Sequence, residues 1–196
     1  MSVAIVRYNA GNVRSVEFAL RRLGVEPILT DDAAALRAAD RVIFPGVGEA
    51  SSAMRYLRER GLDDVIRSLT QPVLGICLGL QLLCAHSEEN NTDCLGIFPN
   101  HVKRFPKTLL KVPQIGWNTV QHDGQGVFEG LPDDPYMYFV HSFAAEVPDG
   151  TTPAAVTDYG VPFASALRAG NFHAVQFHPE KSADTGAALL KTFLAI

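Results

Sequence analysis

Pro72-Val73-Leu74-Gly75-Ile76-Cys77-Leu78-Gly79-Leu80-Gln81-Leu82-Leu83 is the stretch on which the reading of this chain turns. It starts as a short apolar run behind a proline and continues as apolar residues at helical spacing. Between the two lies Gly-x-Cys-x-Gly, the layout of a strand bent sharply into a helix, with cysteine at an apex where hydrolases more often carry serine. The glycines have a mechanical reason. Backbones approach closely at such a turn, and a side chain at position 75 or 79 would collide. A cysteine at the apex projects into a cleft in front of a helix N-terminus, where partial positive charge favours the thiolate. A free cysteine taken alone is more often a buried packing residue. The two flanking glycines tilt the reading toward a nucleophile whose partners have to be found elsewhere.

Outward from this stretch, strands and helices alternate. Val3 to Tyr8 reads as a buried strand, Val13 to Leu23 as an amphipathic helix stopped by Gly24, and Glu26 to Leu29 as a second strand. Asp31 and Asp32 suit the cap of a short helix through Ala38. Arg41 to Phe44 is a third strand, ending in Pro45-Gly46-Val47-Gly48, and helices follow at Ala50 to Arg60 and from Gly61 to Leu69. This spacing predicts an open, mostly parallel central sheet with helices on both faces, an α/β fold. Right-handed crossovers bring the loops Asn9–Asn12, Pro45–Gly48 and Cys77–Gly79 to the carboxyl edge, where such sheets bind ligands.

Beyond an elbow helix ending near His86, the character changes. Ser87 to Cys94 reads as a polar loop. Strands are expected at His101–Phe105, Trp117–Gln121, Tyr136–Val140, Phe143–Val147, Ala154–Thr157, Phe163–Arg168 and Phe172–Phe177. Turns are expected at Asp123-Gly124, Asp149-Gly150 and Ala169-Gly170, and a last helix at Ala183–Leu194. These later strands are expected to extend the same sheet in antiparallel or mixed fashion, so residues 1–196 read as one domain.

Bulk properties exclude several classes. At 196 residues the chain can bury a substantial core. A net charge of −4 without a run of one sign gives no footprint for nucleic acid or an anionic membrane. Cys77, Cys84 and Cys94 are odd in number and lack the spacing of a disulfide framework or a metal site. The opening run is broken by Arg7 too soon for a secretory signal, so a cytoplasmic location is expected. No metal and no cofactor is expected. Pro45–Gly48 lacks the lysine and length of a phosphate-binding loop.

A nucleophilic cysteine needs a base, and the base an orienter. His86, His101 and His122 sit in polar surroundings. His178 closes the apolar run Ala174–Phe177, is followed by Pro179, and has Glu180 two residues on. That combination describes a base with its carboxylate. His141, at the end of another strand but without a nearby carboxylate, is the reserve.

With these residues in view the chain resembles the class I (triad) glutamine amidotransferases. Gly75–Gln81 together with Gln176-Phe177-His178-Pro179-Glu180 matches their motifs, and Cys77, His178 and Glu180 match their triad. The opening Tyr8–Val16, Pro45–Gly48, Gly116-Trp117-Asn118, Tyr138–Ser142 and Glu180-Lys181-Ser182 narrow the resemblance to the glutaminase subunits of imidazole glycerol phosphate synthases, over essentially the whole chain. Two departures stand out. Gln114 precedes Ile115-Gly116-Trp117 where many members carry histidine, and Phe143 follows Ser142 where tyrosine is common. Without a hydroxyl, Phe143 can offer only its backbone.

The resemblance implies hydrolysis of L-glutamine through a Cys77 thioester, with His178 as acid and base. Leu78 N–H would serve the oxyanion, with a second donor from Gly46, Val47 or Gly48. It implies that Gln81 and the backbone of Ser142 and Phe143 hold the substrate's α-groups. It further implies a heterodimer with a (β/α)8-barrel cyclase subunit, contacted through Asn12, Trp117, Tyr138 and Lys181, and low glutaminase activity in the isolated chain. Each of these residues, taken singly, also suits an ordinary surface or core role. The rivals are a glutaminase of another synthase (anthranilate or pyridoxal phosphate), a cysteine hydrolase acting on an ester or lactone, and a non-catalytic regulatory scaffold. The intact triad argues against the last.

Overall fold

The computed structural model describes residues 1–106, 111–148 and 153–196. The expected turn at Asp149-Gly150 lies outside the described residues. The first half runs β1 (Val3–Val6), α1 (Val13–Arg22), β2 (Ile28–Thr30), α2 (Ala33–Ala38), β3 (Arg41–Gly46), α3 (Ala50–Glu59), α4 (Leu62–Arg67), β4 (Val73–Cys77) and α5 (Leu78–Leu83). The second half holds β5 (His86–Ser87), β6 (Thr92–Asp93), β7 (His101–Arg104), β8 (Gln114–Thr119), β9 (Gln121–His122), β10 (Tyr136–His141), β11 (Phe143–Ala145), β12 (Ala155–Asp158), β13 (Pro162–Ala169), β14 (Phe172–Val175) and α6 (Ala183–Ala195). One-turn 3-10 helices occupy Gly126–Phe128 and Pro179–Lys181.

The main sheet has the order β2-β1-β3-β4-β14-β13-β11-β7-β5-β6, with β12 on β13 and β9 on β12. From β2 to β14 every neighbour is parallel, and β13, β11 and β7 then run antiparallel in turn. Inside the exposed edge strand β2, the strands of the parallel part are buried on both faces, and the period of two divides their side chains between two cores. Ala4, Val6, Val42, Phe44 and Val73 pack toward α2, α3, α4 and α5. Val3, Ile5, Ile43, Leu74 and Ile76 pack on the other face with Val16 and Leu20 of α1 and Leu189 and Phe193 of α6. Asp32 caps α2, its Oδ1 accepting from Ala35 N–H at 2.7 Å, whereas Asp31 takes the Arg7 guanidinium at 2.5 Å instead of a cap.

Several expectations shift. The polar stretch after the elbow contains the two-residue strands β5 and β6, and α5 ends at Leu83, three residues short of His86. Strand β8 starts at Gln114 and pairs with β10 as a separate two-stranded sheet, register Trp117 opposite Tyr138, so it does not extend the main sheet. β14 stops at Val175, because Pro179 opens a 3-10 turn and the chain must leave the sheet to enter it. Among the described residues no helix is long and apolar enough to cross a membrane.

Candidate active site

The loops at the carboxyl ends of β1, β3 and β4 meet. Gly11 N–H donates to Val47 O at 3.2 Å, and Gly46 lies opposite Cys77 in the β3–β4 register. Cys77 itself has φ 54° and ψ −108°, a left-side backbone that a cysteine adopts only under compulsion. The compulsion is visible in its neighbours. A Cβ on Gly79 would stand 1.8 Å from Phe44 O, and one on Gly75 would stand 2.7 Å from a Leu83 methyl. No side chain fits at Gly79, and one at Gly75 would have to displace its neighbours, so strand and helix can close onto each other and lift the cysteine. α5 has only six residues, which makes its dipole a small contributor to the charge at the sulfur.

In front of Cys77 opens a cavity of about 740 Å³ lined by Val47, Gly48, Leu78, Gln81, Ser142 and Phe143, among others. Glu88, Glu89 and Arg104 add charge to its wall, and none of the three was singled out in the sequence. Their signal there was only a polar stretch after the elbow. Gly46, the other residue expected near the oxyanion, is buried in its strand and does not line the cavity.

Behind Cys77 lies His178, fully buried. Its main-chain N–H donates to Tyr138 O at 2.9 Å, and its carbonyl accepts from Ser182 Oγ at 2.7 Å. The same Ser182 hydroxyl oxygen accepts from Tyr138 N–H at 3.0 Å. Strand β10 thus grips the turn that carries the imidazole. The 3-10 turn swings Glu180 round so that Oε1 sits 2.7 Å from His178 Nδ1. Nδ1 therefore carries a proton, and the buried Nε2 makes no hydrogen bond of ordinary geometry among the described residues, although the Cys77 sulfur is near enough to act on the ring. Burial opposes a charge on His178, but the Cys77 sulfur and the Glu180 carboxylate outweigh it and raise its pKa to about 10. The arrangement is an imidazole that holds the cysteine's proton beside a carboxylate and can hand it on, capable of forming and discharging a covalent acyl-sulfur bond.

Asn12 joins this group. Expected at a partner surface, it stands at the head of α1 with φ 70°, half-buried, and its Nδ2 donates to Glu180 Oε1 at 2.5 Å. Trp117 is half exposed and meets Tyr138 edge-on at 5.8 Å, and Lys181 is exposed on the turn after Glu180. The reserve histidine does other work. His141 Nδ1 donates to Phe143 O at 2.9 Å, and its ring packs within 5.1 to 5.6 Å of Phe105, Phe139 and Phe163. Burial pushes its pKa down to about 4, so it is neutral and cannot hold a thiolate. Gln81 donates to Phe143 O at 2.8 Å and to Gln176 Oε1 at 3.0 Å. Phe143 O is therefore saturated, and Gln81 has only its own carbonyl oxygen left for a ligand.

Over residues 5–196 the sequence matches the family described as Glutamine amidotransferase class-I. The chain belongs to that family. Among its relatives, the Imidazole glycerol phosphate synthase subunit HisH of Bacteroides fragilis is 54% identical, with all of each chain covered. Proteins of the same name from Bacteroides thetaiotaomicron and Idiomarina loihiensis are 55% and 50% identical, over 99% and 100% of this chain and 99% and 98% of theirs. A solved glutamine amidotransferase superposes with TM-score 0.77 at 24% identity, covering 99% of this chain and 98% of its own. Another glutamine amidotransferase of known structure, from Thermotoga maritima, gives 0.65 at 19%, covering 100% of this chain and 83% of its own. At those identities the likeness speaks for the amidotransferase fold alone.

Proposed function

We infer that this class-I glutamine amidotransferase is the glutaminase subunit of an imidazole glycerol phosphate synthase. It hydrolyses L-glutamine to glutamate and ammonia, and the ammonia passes to a cyclase subunit in histidine biosynthesis. The observation that carries the reading is identity of half or more, end to end, with proteins of that name, on a chain whose Cys77, His178 and Glu180 converge.

With its proton already held on His178 Nε2, the Cys77 sulfur attacks the side-chain amide carbon. The C–N bond breaks as that proton moves to nitrogen, and ammonia departs. Water, deprotonated by the same imidazole, then cleaves the C–S bond and releases glutamate. Glu180 fixes the tautomer and supports the imidazolium, with Asn12 holding the carboxylate. Leu78 N–H and the Val47–Gly48 segment on the facing wall are the oxyanion donors we assign. The Val47 carbonyl is tied to Gly11 in this structure, so the glycine at position 48, with φ 132°, is the joint about which that segment can turn. For the substrate's α-ammonium, Gln81 Oε1, Glu88 and Glu89 are the acceptors at hand. Its α-carboxylate calls for donors, and with the Phe143 carbonyl saturated, Ser142 and Phe143 serve through N–H and hydroxyl groups.

The partner we assign is the (β/α)8-barrel cyclase subunit, seated on the face that carries Trp117, Tyr138 and Lys181 at the Asn12 end of α1. Ammonia released into water would be protonated and lost to the second reaction, so a sealed junction there is a chemical requirement. Residues 1–196 act as one amidotransferase unit in the cytoplasm, where the free cysteines Cys77, Cys84 and Cys94 stay reduced. The test is glutamine hydrolysis by the chain alone and with the cyclase subunit of the same organism. The reading expects slow hydrolysis alone and strong stimulation by the cyclase with its nucleotide ligand. Full activity of the lone chain, or stimulation only by an anthranilate or pyridoxal phosphate synthase subunit, would overturn it.

A further inference from the structure

The sulfur of Cys77 meets a second side chain besides His178. Gln176 is fully buried on the segment between β14 and the His178 turn, and its Nε2 lies 3.6 Å from Cys77 Sγ. Which end of that amide faces the sulfur follows from the far end of a chain of hydrogen bonds. Phe143 O is a main-chain carbonyl and can only accept. It receives Gln81 Nε2 at 2.8 Å, so Gln81 must turn its amino group that way. The same amino group lies 3.0 Å from Gln176, which must therefore present Oε1 to it. Gln176 is left with its amino group toward the sulfur. Val140 O also lies 3.9 Å from Sγ, an acceptor that disfavours a thiolate.

We propose that Gln176 is a catalytic residue of the glutaminase reaction, its side-chain amide donating to Cys77 Sγ and holding the sulfur as the thiolate. The donor is useful twice. It stabilises the anion after the thiol proton passes to His178, and it receives the anion again when water breaks the C–S bond and the electron pair returns to sulfur. A thioester sulfur is neutral and accepts weakly, so the contact is strong only at the two ends of the cycle. Gln81 thereby gains a second duty as a positioning residue, because it dictates the orientation of the Gln176 amide. The proposal rests on the reading of Cys77 as the nucleophile.

The experiment is the pH dependence of alkylation by iodoacetamide on the full chain, with the modified peptide identified by mass. Wild type is compared with Gln176→Met, which removes the donor, and Gln176→Asn, which keeps an amide but draws it back from the sulfur. A hydrogen bond to a charged group corresponds to about one to two pH units of titration. The midpoint of Cys77 labelling is expected to rise by that amount in either variant that folds, with the plateau rate at high pH retained. A midpoint equal to wild type would overturn the proposal, and so would a rate lowered equally at every pH, as a packing role requires. Wild-type labelling that misses Cys77 altogether would instead overturn the nucleophile assignment beneath it.

Discussion

Two buried histidines make this molecule's stability depend on pH in opposite directions. His178 is raised to about 10 from an ordinary 6.5, so its contribution is fully present below about 6.5 and is lost as pH climbs through 10. His141 is lowered to about 4, so the unfolded chain takes up the proton first, and stability is lost as pH falls from 6.5 toward 4. Replacing His141 by Phe, in a nest of three phenylalanine rings, is expected to remove roughly 3 kcal/mol of acid sensitivity over that window. Urea unfolding at a series of pH values reads this as a flatter profile, and an unchanged slope would contradict it. Asn12→Ala removes the amide from Glu180 Oε1. A hydrogen bond to a carboxylate is worth ~1.5–3 kcal/mol, so kcat for glutamine should fall about tenfold or more with KM little changed. A rise in KM alone would place Asn12 with the substrate. At this scale the grouping of Cys77, His178 and Glu180 was legible in the sequence, because each carries recognisable local company: two glycines, a strand-ending proline, a spacing of two. It hid the contacts of Gln176 with Cys77 and of Asn12 with Glu180. Both depend on residues far apart in the chain, 99 positions between Gln176 and Cys77 and 168 between Asn12 and Glu180.

The elbow as an element stands on close approach. With a Cβ at position 79 placed 1.8 Å from a main-chain oxygen, Gly79→Ala has no flexible side chain to push aside and must part β3 from α5. Overpacking typically costs about 1–3 kcal/mol, and a backbone neighbour puts this site at the upper end or beyond. Chemical denaturation should report that loss together with inactive enzyme, and a variant of wild-type stability would mean the elbow is not so tightly closed. The hairpin of β8 and β10 is the element whose place the sequence did not reveal. Its alternation reads the same whether it adds to the main sheet or stands apart, since pairing partners are a tertiary choice. Standing apart matters, because Tyr138 faces Trp117 across the hairpin while its own main chain holds His178 and Ser182. Pressure on the outer face of the hairpin is thus one strand away from the imidazole.

Across the whole molecule, the parallel half of the sheet was read correctly from alternation alone, as buried strands and amphipathic helices repeat at a length that leaves little choice. The second half, built from strands of two to eight residues, gave element positions and their antiparallel extension of the same sheet, but not the strand order or the separate β8–β10 pair. What the assembled fold adds is a division of surfaces. The cavity opens on one side of Cys77, and the wall of imidazole, carboxylate and Asn12 lies on the other, near the exposed Trp117 and Lys181. Trp117→Ala should weaken binding of the cyclase subunit by about 2 kcal/mol, roughly thirtyfold in Kd, in a titration that leaves the fold intact. Equal affinity would move the docking face elsewhere.

The central claim is that Cys77 opens glutamine so that its ammonia can be used by a second subunit. The most direct measurement follows imidazole glycerol phosphate formation by the complex of this chain with the cyclase, wild type against Cys77→Ala, with glutamine or with an ammonium salt as nitrogen source. The account predicts that the variant loses glutamine-driven synthesis and keeps ammonium-driven synthesis at the wild-type rate. Glutamine-driven synthesis that survives Cys77→Ala would contradict it.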